Sequence, residues 1–305
     1  MPGGRLYILA MDHRGSFVKD LFGFTGDLSA ADRARISGAK RVIYDGFLDA
    51  LRAGAPQLCA GLLVDEEYGA AIARDAHHRG IAVAMPVEKS GQAEFDFDYG
   101  SEYRDHVQAF DPDYVKVLVR YNPDGDRKMN ARQAARLREL SGWLQRSGRR
   151  LLLELLVPPT DAELKAAGSI DVYDHAVRPA LVVRAIAELQ AAGVEPSVWK
   201  IEGIDDRAGC QHVATQARSA GRWGVRCIVL GRGANERKVE HWLRQGAGVD
   251  GYAGFAIGRT IWFDALKAML AGTIDREAAA AQVTKRYVRA VEVYDEAAST
   301  AGAAA

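Results

Sequence analysis

Residues 150–158 read RLLLELLVP, and the next apolar run, SVWKIEG at 197–203, follows the helix-like stretch YDHAVRPALVVRAIAELQAAG at 173–193. A strand wetted on one face alternates apolar and polar residues. These runs are apolar at both parities, which suits strands covered on both faces, as in a parallel sheet. The stretch between them is long enough to be a crossover helix, so the three segments read as a βαβ unit. Each run nevertheless contains a charge that its neighbours do not prepare for, Glu154 in the first and Lys200 in the second.

The same alternation extends in both directions. Apolar runs recur at LYILAMD (6–12), QLCAGLLVD (57–65), IAVAMPVEK (81–89), DYVKVLVRY (113–121), RCIVLGRG (226–233) and GYAGFAIGR (251–259). Helix-like stretches lie between them, several closed by glycine as helix C-termini often are, and a further helical pattern runs over about 275–297. Eight such units predict a (β/α)8 TIM barrel with an extra C-terminal helix. A doubly wound sheet would need a glycine-rich dinucleotide loop after the first strand, and MDHRGS is not one. No linker rich in proline or serine divides the chain, so residues 1–305 read as a single domain, with 299–305 expected to be a disordered tail.

The bulk numbers exclude some functions. Among 305 residues, 40 are basic and 40 acidic, a balance that points away from nucleic acid and from a polybasic membrane patch. No apolar run approaches the roughly 20 residues of a membrane helix, and the start, MPGGRLYILAMDHRG, is unlike a signal peptide. The three cysteines are far apart with no CxxC or zinc spacing, which predicts packing residues in a reducing cytoplasm. Neither a cofactor nor a metal is expected. Val288, Val291, Val293 and Tyr294 give the last helix an apolar face for the barrel or for a second subunit, so a homo-oligomer remains open.

In this fold the chemistry sits where the strands end. Asp12, His13 and Arg14 close the first run, Asp65 the second, and Glu88 and Lys89 the third. Lys116 and Arg120 share a face of the fourth, Glu154 sits inside the fifth, and Lys200 and Glu202 share a face of the sixth. Asp65 alone reads as a solvated or locally paired carboxylate. Lys116, Glu154 and Lys200 as a purely structural interior cluster would be a poor stabiliser, because desolvation consumes most of the Coulomb gain. A functional site is the stronger expectation.

Two lysines beside one carboxylate predict a perturbed amine. An ammonium on Lys116 would disfavour a second charge on Lys200, and burial acts in the same direction. A neutral lysine attacks a ketone to form a Schiff base, whose iminium accepts the electrons of a breaking carbon–carbon bond. Glu154 and Asp12 suit the accompanying proton transfers. This is class I aldolase chemistry. Spacing alone does not choose between Lys200 and Lys116; Lys200 is preferred because the sixth strand adjoins Glu154, and Lys89 is a third candidate.

LGRGAN (230–235) and GFAIGR (254–259) close the last two runs. Gly231, Arg232, Gly233, Gly258 and Arg259 therefore read as an anion site, in which backbone N–H groups converge and an arginine grips a phosphate or sulfonate. Two other classes compete: a metal-dependent lyase or isomerase using Asp65, Glu88 and His13, and a sugar-phosphate-binding barrel without turnover.

With these residues assembled, the chain resembles the class I tagatose-bisphosphate aldolase group, which includes sulfofructose-phosphate aldolases. DHRG (12–15), VEKSG around Glu88 and Lys89, KVLVRYNPD (116–124), LLLELLV, WKIEG and GFAIGRTIW carry the likeness. LAMDHRGSF with LGRGANERKVEHWL looks closer still to the aldolase-like domain fused to inositol-pathway 5-dehydro-2-deoxygluconokinases. The resemblance covers nearly the whole chain at its strand ends and little of its helices. It implies that Lys200 forms the Schiff base, with Glu154 and Lys116 in the roles of the family's strand-5 glutamate and strand-4 lysine. His13 stands where the tagatose enzymes usually have glutamine, and Arg120 adds a cation. The implied substrate is 2-deoxy-5-keto-gluconate 6-phosphate, split into dihydroxyacetone phosphate and malonate semialdehyde, with Arg120 or Arg14 holding its carboxylate.

Overall fold

The computed structural model describes residues 4–303. Strands β1 (Leu6–Ala10), β2 (Ala60–Leu63), β3 (Ala82–Pro86), β4 (Tyr114–Arg120), β5 (Arg150–Leu156), β6 (Val198–Glu202), β7 (Arg226–Leu230) and β8 (Tyr252–Ile257) pair in sequence order into a closed parallel barrel. Each lies inside one of the eight runs expected to form it. Outside them lie α1 (Ala30–Arg52), α2 (Glu66–His78), α3 (Tyr103–Phe110), α4 (Arg127–Arg146), α5 (Arg178–Ala191), α6 (Arg207–Ala217), α7 (Glu236–Gly246) and α8 (Arg259–Leu270), one after each strand, and then α9 (Arg276–Ala303). The fold is a (β/α)8 barrel.

Local chemistry fixes where the helices start. Ser29 and Asp32 form a capping box on α1, and the Asp65, Asp126, Asp206 and Asn235 side chains accept backbone N–H bonds at the starts of α2, α4, α6 and α7. Closure between β1 and β8 needs Gly254, whose φ is +147°; a Cβ there would lie 2.0 Å from the Leu6 carbonyl oxygen. Helix α9 covers the outside of this seam. Tyr287 donates to the Tyr7 carbonyl at 2.8 Å, and the Tyr7 ring stacks on Phe255 at 5.0 Å. Val291, Val293 and Tyr294 are buried there, so this apolar face is used against the barrel, while Val288 is half-buried.

Two sequence expectations change. Helix α8 starts immediately after β8 and was not distinguished from that run; the pattern at about 275–297 is α9, the extra helix. The tail expected to be disordered from 299 continues as helix to Ala303, with residues 304–305 outside the described residues. Among the described residues no helix is long and apolar enough to cross a membrane. The cysteines are free thiols, Cys210 and Cys227 buried and Cys59 half-buried.

Inward residues follow the two-residue period of the strands. Leu6, Ile8, Ala10, Leu63, Ala84, Tyr114, Leu152, Val198, Ile228 and Ala256 fill the lower barrel as one buried cluster. The next inward positions toward the strand C-termini are where charge begins.

Candidate active site

On β5 the inward series is Leu152, Glu154, Leu156; on β6 it is Val198, Lys200, Glu202; and β4 adds Tyr114, Lys116, Leu118, Arg120. Parallel register sets Glu154 beside Lys200, and Lys116 beside Leu152. These side chains open into a cavity of about 630 Å³ at the C-terminal end of the barrel. All the residues expected at the site line it: Asp12, His13, Arg14, Lys89, Lys116, Arg120, Glu154, Lys200, Gly231, Arg232, Gly233, Gly258 and Arg259.

The centre is a chain of charges. Lys116 Nζ donates to Asp12 at 2.8 Å and to Glu88 at 2.6 Å, and lies 3.0 Å from Glu154 Oε2. Lys200 Nζ donates to that same Glu154 oxygen at 3.0 Å. Both lysines are 2% exposed. One carboxylate oxygen therefore bridges the two lysine nitrogens, and Lys116 has two carboxylates besides. Burial opposes charge on Lys116, but Asp12, Glu154 and Glu88 together hold its pKa well above the usual lysine value. Burial likewise opposes ionisation of Asp12 and Glu154, yet Lys116 and Lys200 hold both carboxyls below their ordinary values. For Glu88 burial wins over Lys116 and Arg14, and its carboxyl is pushed up.

The rim is held by tethers. Arg14, 7% exposed, pairs with Asp98 and donates to the Glu88 carbonyl at 2.6 Å. It ties the loop after β1 to the loop after β3 and is committed there. Gly15 N–H donates to Ser90 Oγ at 3.1 Å in the same seam. Arg120 donates to the Gln92 carbonyl at 2.6 Å, and Lys89 pairs with Asp96 at 2.9 Å on the exposed side. His13 packs edge-on to Trp262, with ring centroids 5.3 Å apart. Enclosure, helped by Lys200 and resisted by Asp12, lowers its pKa to about 4, so the ring is neutral at pH 7.

The glycine loops meet at the opposite side of the mouth. Arg232 and Gly233 take consecutive left-handed conformations at φ +51° and +69°. Gly258 is required because a Cβ would lie 2.3 Å from the Ala10 carbonyl oxygen, and α8 begins at the next residue with its first N–H groups free of helical partners. The two arginines here are engaged: Arg232 with Glu202 at 3.0 Å and with Asp174, Arg259 with Asp20 at 2.6 Å. An anion arriving at this corner meets guanidinium groups that must exchange carboxylate partners.

Sequence reasoning missed several members. Glu88, weighed only as a metal ligand, contacts Lys116; Glu202 holds Arg232 and accepts the Val157 N–H at 2.9 Å. Both follow the inward period of their strands, and that signal was available. Asp174, Asp20 and Asp98 come from loops and carry no such signal. Asp65 leaves the group: it is fully buried and pairs with Lys40. Among the described residues no cluster of three or more His, Cys, Asp or Glu has the geometry to hold a metal ion.

The model of the family described as "Uncharacterized protein conserved in bacteria (DUF2090)" matches residues 3–298, nearly the whole chain, and the chain belongs to that family. No curated protein matches it. Solved structures do. One is a Schiff-base-forming fructose-1,6-bisphosphate aldolase from a study of its reaction intermediates, 16% identical with a TM-score of 0.56, covering 95% of this chain and 94% of that one. Another is fructose-bisphosphate aldolase from Plasmodium falciparum, in ternary complex with TRAP and a small-molecule inhibitor: 12% identical, TM-score 0.63, covering 95% of this chain and 89% of that one. At these identities the likeness shows a shared fold.

Proposed function

From membership of the DUF2090 family, which names no activity, and from the site itself, we propose that this chain is a class I aldolase acting on a phosphorylated ketose, with Lys200 as its nucleophile. One observation carries the reading: inside the cavity, Glu154 Oε2 lies 3.0 Å from both Lys116 Nζ and Lys200 Nζ. The two amines differ in company. Lys116 is surrounded by Asp12, Glu88 and Glu154, which fix it as an ammonium, whereas Lys200 donates to Glu154 alone among these carboxylates. An amine with one carboxylate partner can pass its proton to that partner and attack. The shared fold with Schiff-base aldolases supports the same reading.

In this mechanism Glu154 takes a proton from Lys200, whose nitrogen adds to the ketone carbon. Glu154 then returns the proton to the carbinolamine hydroxyl, which leaves as water. The iminium draws the electrons of the bond between carbons three and four as a carboxylate, Asp12 or Glu154, accepts the proton of the C4 hydroxyl. An aldehyde departs, the enamine is protonated at carbon three, and hydrolysis frees the ketone and Lys200. Lys116, held cationic, stabilises oxygen atoms that gain negative charge. The Gly231–Gly233 turn, the start of α8 and Arg259 receive the phosphate, and a sulfonate would fit the same donors.

The finer assignment is 2-deoxy-5-keto-gluconate 6-phosphate, yielding dihydroxyacetone phosphate and malonate semialdehyde in a cytoplasmic sugar pathway. Of the two arginines considered for its carboxylate, Arg120 is the one that suits the role. It lines the cavity and is held by a single neutral carbonyl, while Arg14 is locked into its seam. A coupled assay for dihydroxyacetone phosphate, run with acidic and neutral ketose phosphates, tests this. Faster cleavage of the acidic substrate supports the assignment, faster cleavage of tagatose bisphosphate moves it to that group, and binding without product in every case contradicts an aldolase.

A further inference from the structure

Lys40 lies outside the barrel on α1, in the stripe Ile36, Lys40, Ile43, Phe47 that faces the strands. It and Asp65 are fully buried. Its ammonium donates to the Met11 carbonyl at 2.7 Å and to the His13 carbonyl at 3.0 Å, and pairs with Asp65. The other Asp65 oxygen accepts the Tyr68 N–H at 2.8 Å, which anchors the carboxylate to the start of α2. The rings of Phe17 and Tyr68 lie 5.2 and 5.8 Å from the nitrogen. All three ammonium protons thus have acceptors.

Such a pair is a costly way to fill space, since an apolar pair of similar size would serve stability as well or better. An apolar pair cannot gather two carbonyls, however, and these two flank Asp12. Strand β1 ends at Ala10, and Met11 N–H makes a last bond to the Leu63 carbonyl at 2.7 Å. Beyond it the chain must turn so that the Asp12 carboxylate reaches Lys116 and the His13 ring reaches Trp262.

We propose that Lys40 is a positioning residue of the site, clamping the carbonyls of Met11 and His13 so that the Asp12 carboxylate meets Lys116 and the His13 ring seats in the cavity wall. Its kinetic consequence rests on the aldolase reading; its structural consequence does not.

The test replaces both members, Lys40→Met with Asp65→Asn, because removing one alone strands a buried charge. Leu140→Ala, on the buried face of α4, is the control for stability loss far from the turn. Two readouts are taken on folded protein. The first is enzyme-catalysed exchange of solvent deuterium into dihydroxyacetone phosphate. The second is the NMR titration of His13, assigned with a His13→Gln spectrum; the groups acting on this ring are Asp12, Lys200, Glu154 and Lys40. The double variant is expected to lose about 100-fold in kcat for exchange, as for a catalytic group displaced by an ångström, with KM within about threefold. His13 should move from about 4 toward 6.5. Leu140→Ala should change neither. A folded double variant with native kcat and His13 still near 4 overturns the proposal. If the native protein itself neither exchanges nor forms an adduct, the aldolase reading fails and the titration alone decides: because the Lys40 charge acts only weakly on the ring, a His13 moved most of the way to 6.5 upholds the clamp, and one still near 4 removes it. Should the double variant not fold, the apolar pair Lys40→Met with Asp65→Leu is read instead by the same two measures, and a folded variant with native kcat and His13 still near 4 overturns the proposal.

Discussion

Two successive levels of the barrel interior are built from the same strands and have opposite chemistry. The lower level, with Leu6, Ile8, Leu152, Val198 and Ile228, is apolar and closed. The upper level, one or two inward positions further along, carries Asp12, Lys116, Glu154 and Lys200 in contact with one another. Apolar burial is the main source of stability, whereas buried ion pairs return little after desolvation. The difference teaches that the barrel carries its stability below and gathers its buried charges above.

Substitutions can break that division. Lys200→Met, the largest expected effect, lowers turnover at least about 1,000-fold. Stability stays within about 1 kcal/mol, since Glu154 keeps Lys116 as partner. Assay and melting curve on one preparation check both parts, and a collapsed melting temperature with preserved turnover would reverse the roles of the levels. Leu152→Ala, one inward position below Glu154, is expected to cost about 3 kcal/mol of stability through the cavity it leaves. Its kcat should be native wherever it is folded, which denaturant melts and assays below the transition measure. Glu154→Gln removes the proposed proton carrier but keeps the shape, and kcat should drop about 100-fold while Lys116 retains Asp12 and Glu88.

The smallest effect sharpens the comparison at the rim. Above pH 6.5 the His13 ring is neutral in both folded and unfolded chains. As pH falls from 6.5 toward about 4, the unfolded chain takes up a proton that the folded one refuses, and stability declines. The full shift overstates the loss for a ring that is 28% exposed, so about 1–2 kcal/mol is expected across this window. His13→Gln should flatten the stability curve between these limits. An unchanged slope would mean that the ring is not enclosed.

The strands were legible because parallel strands covered on both faces read as continuous apolar runs, and the candidate site was legible because charges inside such runs at inward positions meet in one cavity. Helix α8 was hidden because RTIWFDALKAML follows β8 without a loop, so the change of period has no punctuation. Lys40 was readable in principle, as a lysine on the apolar stripe of α1, but its partner Asp65 lies past the end of β2 at the start of α2, 25 residues on. The commitment of Arg14 to Asp98 joins residues 84 apart and left no local sign. The engagement of Arg232 and Arg259 with Asp174 and Asp20 is likewise a property of loops brought together by closure.

The assignment of nucleophile is tested most directly by borohydride reduction in the presence of dihydroxyacetone phosphate, followed by peptide mass mapping. A reduced adduct confined to the peptide bearing Lys200, and lost in Lys200→Met, is the predicted result. An adduct on Lys116 or Lys89, or cleavage of ketose phosphates with no lysine trapped, would contradict it.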